Sequence, residues 1–182
     1  MVYTVGHSTH PIDEFIRILH EHGIQRLVDV RTIPRSRHNP QFNRENLPAS
    51  LAVAGIVYQH VPGLGGLRHP RGDSINTGWR NASFRGFADY MQTPEFHGNL
   101  AKLIELVSDG ETAIMCAEAV PWRCHRSLIA DALVARGITV LEILTVAKSQ
   151  SHSLTQFAKV DGTQVTYPGA DSGNLKLTFD AP

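Results

Sequence analysis

Only two cysteines, Cys116 and Cys124, occur in 182 residues. A small secreted scaffold held by disulfides needs more, so both read as free thiols in a reducing compartment. No apolar run approaches the roughly 20 residues that span a bilayer. Met1 to Val5 has neither the basic start nor the long apolar stretch of a secretion signal, so no membrane role and a cytoplasmic location are expected. Nothing in the composition points to disorder, and 42% hydrophobic residues are enough for a core. No internal repeat is present. One domain is expected, with a core over 1–147 and an extension over 148–182.

Lysine is missing from Arg31 to Arg85, a stretch with eight arginines and two acids, Glu45 and Asp73. It therefore carries +6 and the remainder −6, against a net charge of zero. Arginine without lysine suits forked recognition of phosphate or carboxylate. The plainer alternative is a set of surface arginines paired with acids elsewhere.

The pattern of apolar residues alternates strand and helix. Val2 to Val5 reads as a strand. A helix follows, with Pro11 early, Asp13 and Glu14 in its first turn, and Ile12, Phe15, Ile16 and Leu19 on one face, up to Gly23. Gln25 to Val30 is a second strand, Leu47 to Ala54 a short helix and Ile56 to His60 a third strand. Pro62 to Trp79 is a glycine-rich loop. Two helices follow, the second opened by Thr93 and Pro94 and ended by Gly110. Thr112 to Met115 is a strand, Cys124 to Arg136 a helix and Thr139 to Leu144 a strand. Asp161-Gly162 turns a small C-terminal hairpin, and Pro168 to Pro182 reads as a loose tail. This order specifies an α/β fold: a mostly parallel central sheet of about five strands with helices on both faces.

Ligands of such sheets bind beyond the carboxyl ends of the strands. Four of those ends carry reactive groups: His7 and Ser8, Asp29 and Arg31, the segment from His60 to Gly66, and Cys116 with Glu118. The densest segment runs from Cys116 to Arg126. Cys124 is expected at a helix start among Arg123, His125 and Arg126, where the dipole and cations lower a thiol pKa. Either thiol can be the nucleophile, with His125 or His7 as base and Glu118 as proton carrier. Arg31 is expected to meet a substrate anion, and Ser8, Asp29, Arg35, Gly65, Gly66, Trp122 and Arg126 complete the candidate substrate-binding set. Trp79 and Phe42, set among arginines, are placed to stack bases or to pack under loops. Cys116, Cys124 and His125 also form a donor set that suits zinc or iron, although no short Cys-x-x-Cys pair is present. A reversible Cys116–Cys124 disulfide is a further reading.

Gly6-His7-Ser8, Asp29-Val30-Arg31 with Pro34 and Ser36, Gln41-Phe42-Asn43, Leu64-Gly65-Gly66, Cys116-Ala117-Glu118 and Cys124-His125-Arg126 together resemble the family catalogued as domain of unknown function 488. The resemblance covers roughly Val2 to Ala147. It implies an intracellular bacterial or archaeal α/β protein and supplies no reaction. A fainter similarity, carried by Leu27 to Arg31 and a Cys loop, is to the rhodanese and cysteine-phosphatase class. Those enzymes close about five residues between Cys and Arg. Here six residues separate Cys116 from Arg123 and nine separate it from Arg126.

The first expectation is thus a thiol-dependent enzyme acting on an anionic, phosphate- or nucleotide-like substrate. The alternatives are a nucleic-acid or nucleotide binding module using the arginines of 31–85, and a zinc or iron protein using the Cys/His/Glu cluster.

Overall fold

The computed structural model describes residues 1–108 and 110–169. β1 is Val2–Gly6, α1 Ile12–Glu21, β2 Arg26–Asp29, α2 Leu47–Val53 and β3 Val57–His60. α3 is Ala82–Tyr90, α4 Pro94–Val107, β4 Thr112–Cys116, α5 Arg126–Val134 and β5 Val140–Thr145. Three short strands follow: β6 Lys148–Ser151, β7 Lys159–Asp161 and β8 Gln164–Thr166.

The sheet order is β3-β2-β4-β1-β5-β6. The first five strands are parallel, and β6 adds antiparallel to β5. Both faces of the central strands are apolar because both are covered. In β4, Ala113 and Met115 pack toward α1 and α2, whereas Ile114 and Cys116 pack toward α3, α4 and α5. Leu27 and Val28 in β2 divide in the same way. The chain moves from β1 to β3 with its helices on one face and returns to β4 and β5 with its helices on the other. Right-handed crossovers require this arrangement. The carboxyl ends of β1, β2 and β4 thereby come to lie side by side.

Local signals account for the element ends. Thr93 Oγ1 accepts from the Phe96 N–H and Pro94 stands in the first turn of α4. Asn81 caps α3 through the N–H groups of Ser83 and Phe84. The hairpin expected at Asp161-Gly162 is β7–β8.

Two boundaries differ from expectation. Residues 121–123 form a separate 3-10 turn, and α5 begins only at Arg126. Strand β6 was not expected. Its residues, Lys-Ser-Gln-Ser, carry no apolar alternation, as suits an edge strand. Beyond it the chain is tied into the same body: Tyr167 is fully buried and its hydroxyl donates to Asp131. The loose tail expected from Pro168 lies outside the described residues from position 170. No helix among the described residues is long and apolar enough to cross a membrane.

Candidate active site

Parallel pairing of β1 with β4 sets Gly6 beside Cys116. The two chains stay together past the strands, where the His7 and Ser8 N–H groups donate to the Cys116 and Ala117 carbonyls. Residue 6 must be glycine for this crossing. A Cβ there would lie 1.9 Å from the Glu118 carbonyl oxygen, which is backbone and has nowhere to go. Ser8 turns away with φ at +47°, a left-handed conformation uncommon outside glycine.

The carboxyl ends of β1, β2 and β4 open onto a cleft of about 690 Å³. His7, Ser8, Arg31, Arg35, Gly66, Cys116, Glu118, Cys124 and His125 line it, so nine of the residues singled out in the sequence share one cavity. Asp29, Gly65, Trp122 and Arg126 are not on its wall. Asp29 is fully buried, and Gly65 packs on Thr32. Trp122, 64% exposed, borders a second pocket of about 400 Å³ with Trp79 and Phe157.

At the floor lie three groups. Cys116 ends β4, and Cys124 sits between the 121–123 turn and α5 in extended conformation, φ −132° and ψ 142°. His125 Nδ1 is 3.8 Å from each sulfur. The three donor atoms lie within 4.8 Å of one another. Gly66 makes room for the imidazole: a Cβ on it would meet His125 Nδ1 at 2.6 Å.

The two thiols are unequal. Cys116 is lowered to about 7, first by the hydrogen bond from Cys124, then, against the cost of burial, by the charge of Arg126 and the N–H groups of Ala117 and Glu118. Cys124 is raised to about 12 by that same hydrogen bond and by burial. The sequence left either thiol as the nucleophile, and the helix-start lowering expected at Cys124 is not seen. Cys124 stands ahead of the helix, and the lowering by His125 does not offset its hydrogen bond to Cys116 and its burial.

Three expected substrate or acid–base groups are occupied within the fold. Arg31 pairs with Asp29, with Nη2–Oδ2 at 2.6 Å and Nε–Oδ1 at 2.9 Å, and Nη2 also donates to the Phe42 carbonyl. Its charge therefore holds the cleft wall in place of meeting a free anion. Arg31 Nη1 donates to His7 Nε2 at 3.1 Å, which makes Nε2 an acceptor and leaves the His7 proton on Nδ1, bonded to the Ser8 carbonyl. Burial, then the charge of Arg31, lowers His7 to about 4. It is a neutral wall residue whose Nε2 is already engaged. Arg126, 1% exposed, donates through Nη2 to the Glu118 and Ala119 carbonyls, and its Nε and Nη1 have no partner among the described residues. It pins the Cys116 loop from beneath. The Cys–Arg cradle of the phosphatase class is therefore not formed by Arg126. Phe42 is fully buried, stacked on His7 at 4.2 Å, so it is core and no base platform.

The unpaired cations are elsewhere. Arg35 and Arg123 border the cleft with exposed side chains, and neither guanidinium has a partner among the described residues. Arg123 was noted in the sequence only as a neighbour of Cys124. Thr32, Ser36 and Asn39, also on the wall, follow β2 in a polar loop, which is the signal that marks them.

A second polar group escaped sequence reasoning. Asp131, fully buried, accepts from His152 Nε2, the Thr155 N–H and hydroxyl, and the Tyr167 hydroxyl. His152 Nδ1 meets Glu142 at 2.8 Å. Burial opposes the His152 charge, but hydrogen bonds to both carboxylates outweigh it and raise the imidazole to about 9. Its sequence signal was an acid inside each of two apolar elements, α5 and β5.

Fold and site define an α/β protein with two thiols and an imidazole gathered at the carboxyl-end cleft of a parallel sheet. The model of the family described as domain of unknown function DUF488 matches residues 11–133, and the chain belongs to that family. No curated protein and no solved structure matches it.

Proposed function

We propose that this protein is a thiol-dependent enzyme in which Cys116 attacks an anionic substrate bound in the cleft. One observation carries the reading: the groups around the Cys116 sulfur favour its anion. This sulfur ends β4 at the cleft floor, 3.8 Å from His125 Nδ1 and within 4.8 Å of the Cys124 sulfur, and the thiol is lowered to about 7, first by Cys124, then by the charge of Arg126 and the Ala117 and Glu118 N–H groups. A thiolate formed in this way needs no separate base. Arg35 and Arg123 at the rim supply the forked donors that an anion requires. Glu118, exposed on the loop that carries Cys116, is the group available to pass a proton to a leaving group. Such chemistry suits a reducing compartment such as the cytoplasm.

The test is covalent trapping. Wild-type chain and Cys116→Ser are incubated with a panel of phosphorylated, carboxylated and nucleotide-derived electrophiles, and adducts are mapped by peptide mass spectrometry. Adducts on Cys116, lost in the variant, are expected. Turnover of any panel member that survives in Cys116→Ser removes this residue from the reaction.

A second reading has its own observation. His125 Nδ1 stands equidistant from both sulfurs, and two Cys with one His open to a cleft match the three-ligand set of a catalytic zinc or iron site. Metal content of chain purified without chelator, beside Cys116→Ala, separates the two. Near-stoichiometric metal lost in the variant favours ligation, and metal-free wild type with a free Cys116 favours the thiol enzyme.

A further inference from the structure

The reading above uses Cys116 as the attacking group and Cys124 only as its hydrogen-bond donor. Both thiols line the cleft and are buried, Cys124 at 2% exposed more deeply than Cys116 at 7%. The two sulfurs lie within 4.8 Å of one another, with His125 Nδ1 3.8 Å from each. The Cys124 backbone is held on both sides. The Cys124 N–H donates to the Pro121 carbonyl at 2.9 Å, and the Cys124 carbonyl accepts from the Ser127 N–H and hydroxyl, each at 3.0 Å. Rotation about side-chain bonds is then the movement by which the sulfurs approach. Eight positions apart in sequence, the two cysteines meet because the 121–123 turn folds the loop back onto the end of β4.

We propose that Cys124 is a resolving thiol and that the substrates of this site are disulfides of small anionic thiols. The inference rests on Cys116 as the attacking group. In the first step the Cys116 thiolate attacks one sulfur of R–S–S–R′. A Cys116–S–S–R mixed disulfide forms and R′–S⁻ leaves. In the second step Cys124 gives its proton to His125 Nδ1 and attacks the Cys116 sulfur. A Cys116–Cys124 disulfide forms and R–S⁻ leaves, taking up the proton on its release. The substrate gains two electrons and the protein dithiol loses two. An external thiol then reduces the internal disulfide and returns both cysteines to their starting state. Sulfur is the electrophile that fits, because attack on it yields a product that a neighbouring thiol can displace. The Arg35 and Arg123 guanidiniums, without a partner among the described residues, match carboxylates on the thiol.

The test uses glutathione disulfide, the full reduced chain and two variants, Cys124→Ser and Cys124→Ala, each checked for native circular dichroism. The products are read by intact mass and peptide mapping. Wild type is expected to lose two hydrogens, with the peptides of Cys116 and Cys124 joined and two glutathiones released per chain. Both variants are expected to stop at a glutathione adduct on Cys116. Wild type that also stops at the Cys116 adduct overturns the resolving role while leaving Cys116 as nucleophile. First modification on Cys124, or none on either cysteine in wild type, overturns this inference and the assignment of Cys116 together.

Discussion

The reactivity of Cys116 follows quantitatively from its surroundings. Its pKa falls from an ordinary 9.0 to about 7. At neutral pH an ordinary thiol of that value is about 1% thiolate and Cys116 about half, a gain of about 50-fold in the reactive form. The lower basicity removes part of this: with a Brønsted slope of about 0.45, two units cost about eightfold in nucleophilicity. The net advantage over an unperturbed thiol is therefore about sixfold at neutral pH, before any effect of access. The assay is the rate of iodoacetamide alkylation against pH, resolved by peptide mass spectrometry. Access scales the whole curve without moving its midpoint, so the midpoint is the quantity to read. It should fall near 7 for Cys116, with Cys124 unreactive over the same range. Cys124→Ala removes the largest lowering cause and leaves burial, the next in size, to oppose Arg126 and the loop N–H groups, so the midpoint should move upward. A wild-type midpoint at the ordinary value, or one unmoved by Cys124→Ala, would show the account of the thiolate to be wrong.

Three further predictions concern the frame around the thiols. Gly6→Ala drives a methyl into the Glu118 carbonyl and should cost about 1–3 kcal/mol in urea unfolding, with the Cys116 alkylation midpoint displaced; unchanged stability and midpoint would contradict the close crossing. Sulfate should slow alkylation of Cys116 in wild type, and Arg35→Gln with Arg123→Gln should abolish the effect; equal inhibition in the double variant would place the anion elsewhere. His152 has a folded pKa of about 9, above its unfolded 6.5, so its contribution to stability is complete below about pH 6.5 and is lost as pH rises through 9. Unfolding midpoints across that window should decline more steeply in wild type than in His152→Gln, and parallel profiles would refute the charged clamp.

Much of the architecture is legible along the chain because its causes are local. The apolar period of Ile12 to Leu19, the Thr93-Pro94 start of α4 and the Asp161-Gly162 turn each act over a few residues, and each stands where the pattern puts it. The alternation of strand and helix then leaves a parallel sheet as the means of burying strands that are apolar on both faces. Strand β6 was not legible. An edge strand gains its hydrogen bonds from β5 and needs no apolar pattern of its own.

That reactive residues gather at strand ends, most densely from Cys116 to Arg126, is readable along the chain. Which of them meet, and what each has left to offer, depends on how distant segments pack. Strand order put β1 and β2 on either side of β4, and this brought His7 to the cleft of Cys116 while tying its Nε2 to Arg31. The same packing neutralised Arg31 with Asp29, buried Arg126 beneath the loop and left Arg35 and Arg123 at the cleft with no partner among the described residues. It also made the two thiols, equal candidates in the sequence, unequal. A pKa depends on the charges and donors within a few ångströms, and those come from segments distant in sequence, which no local pattern records.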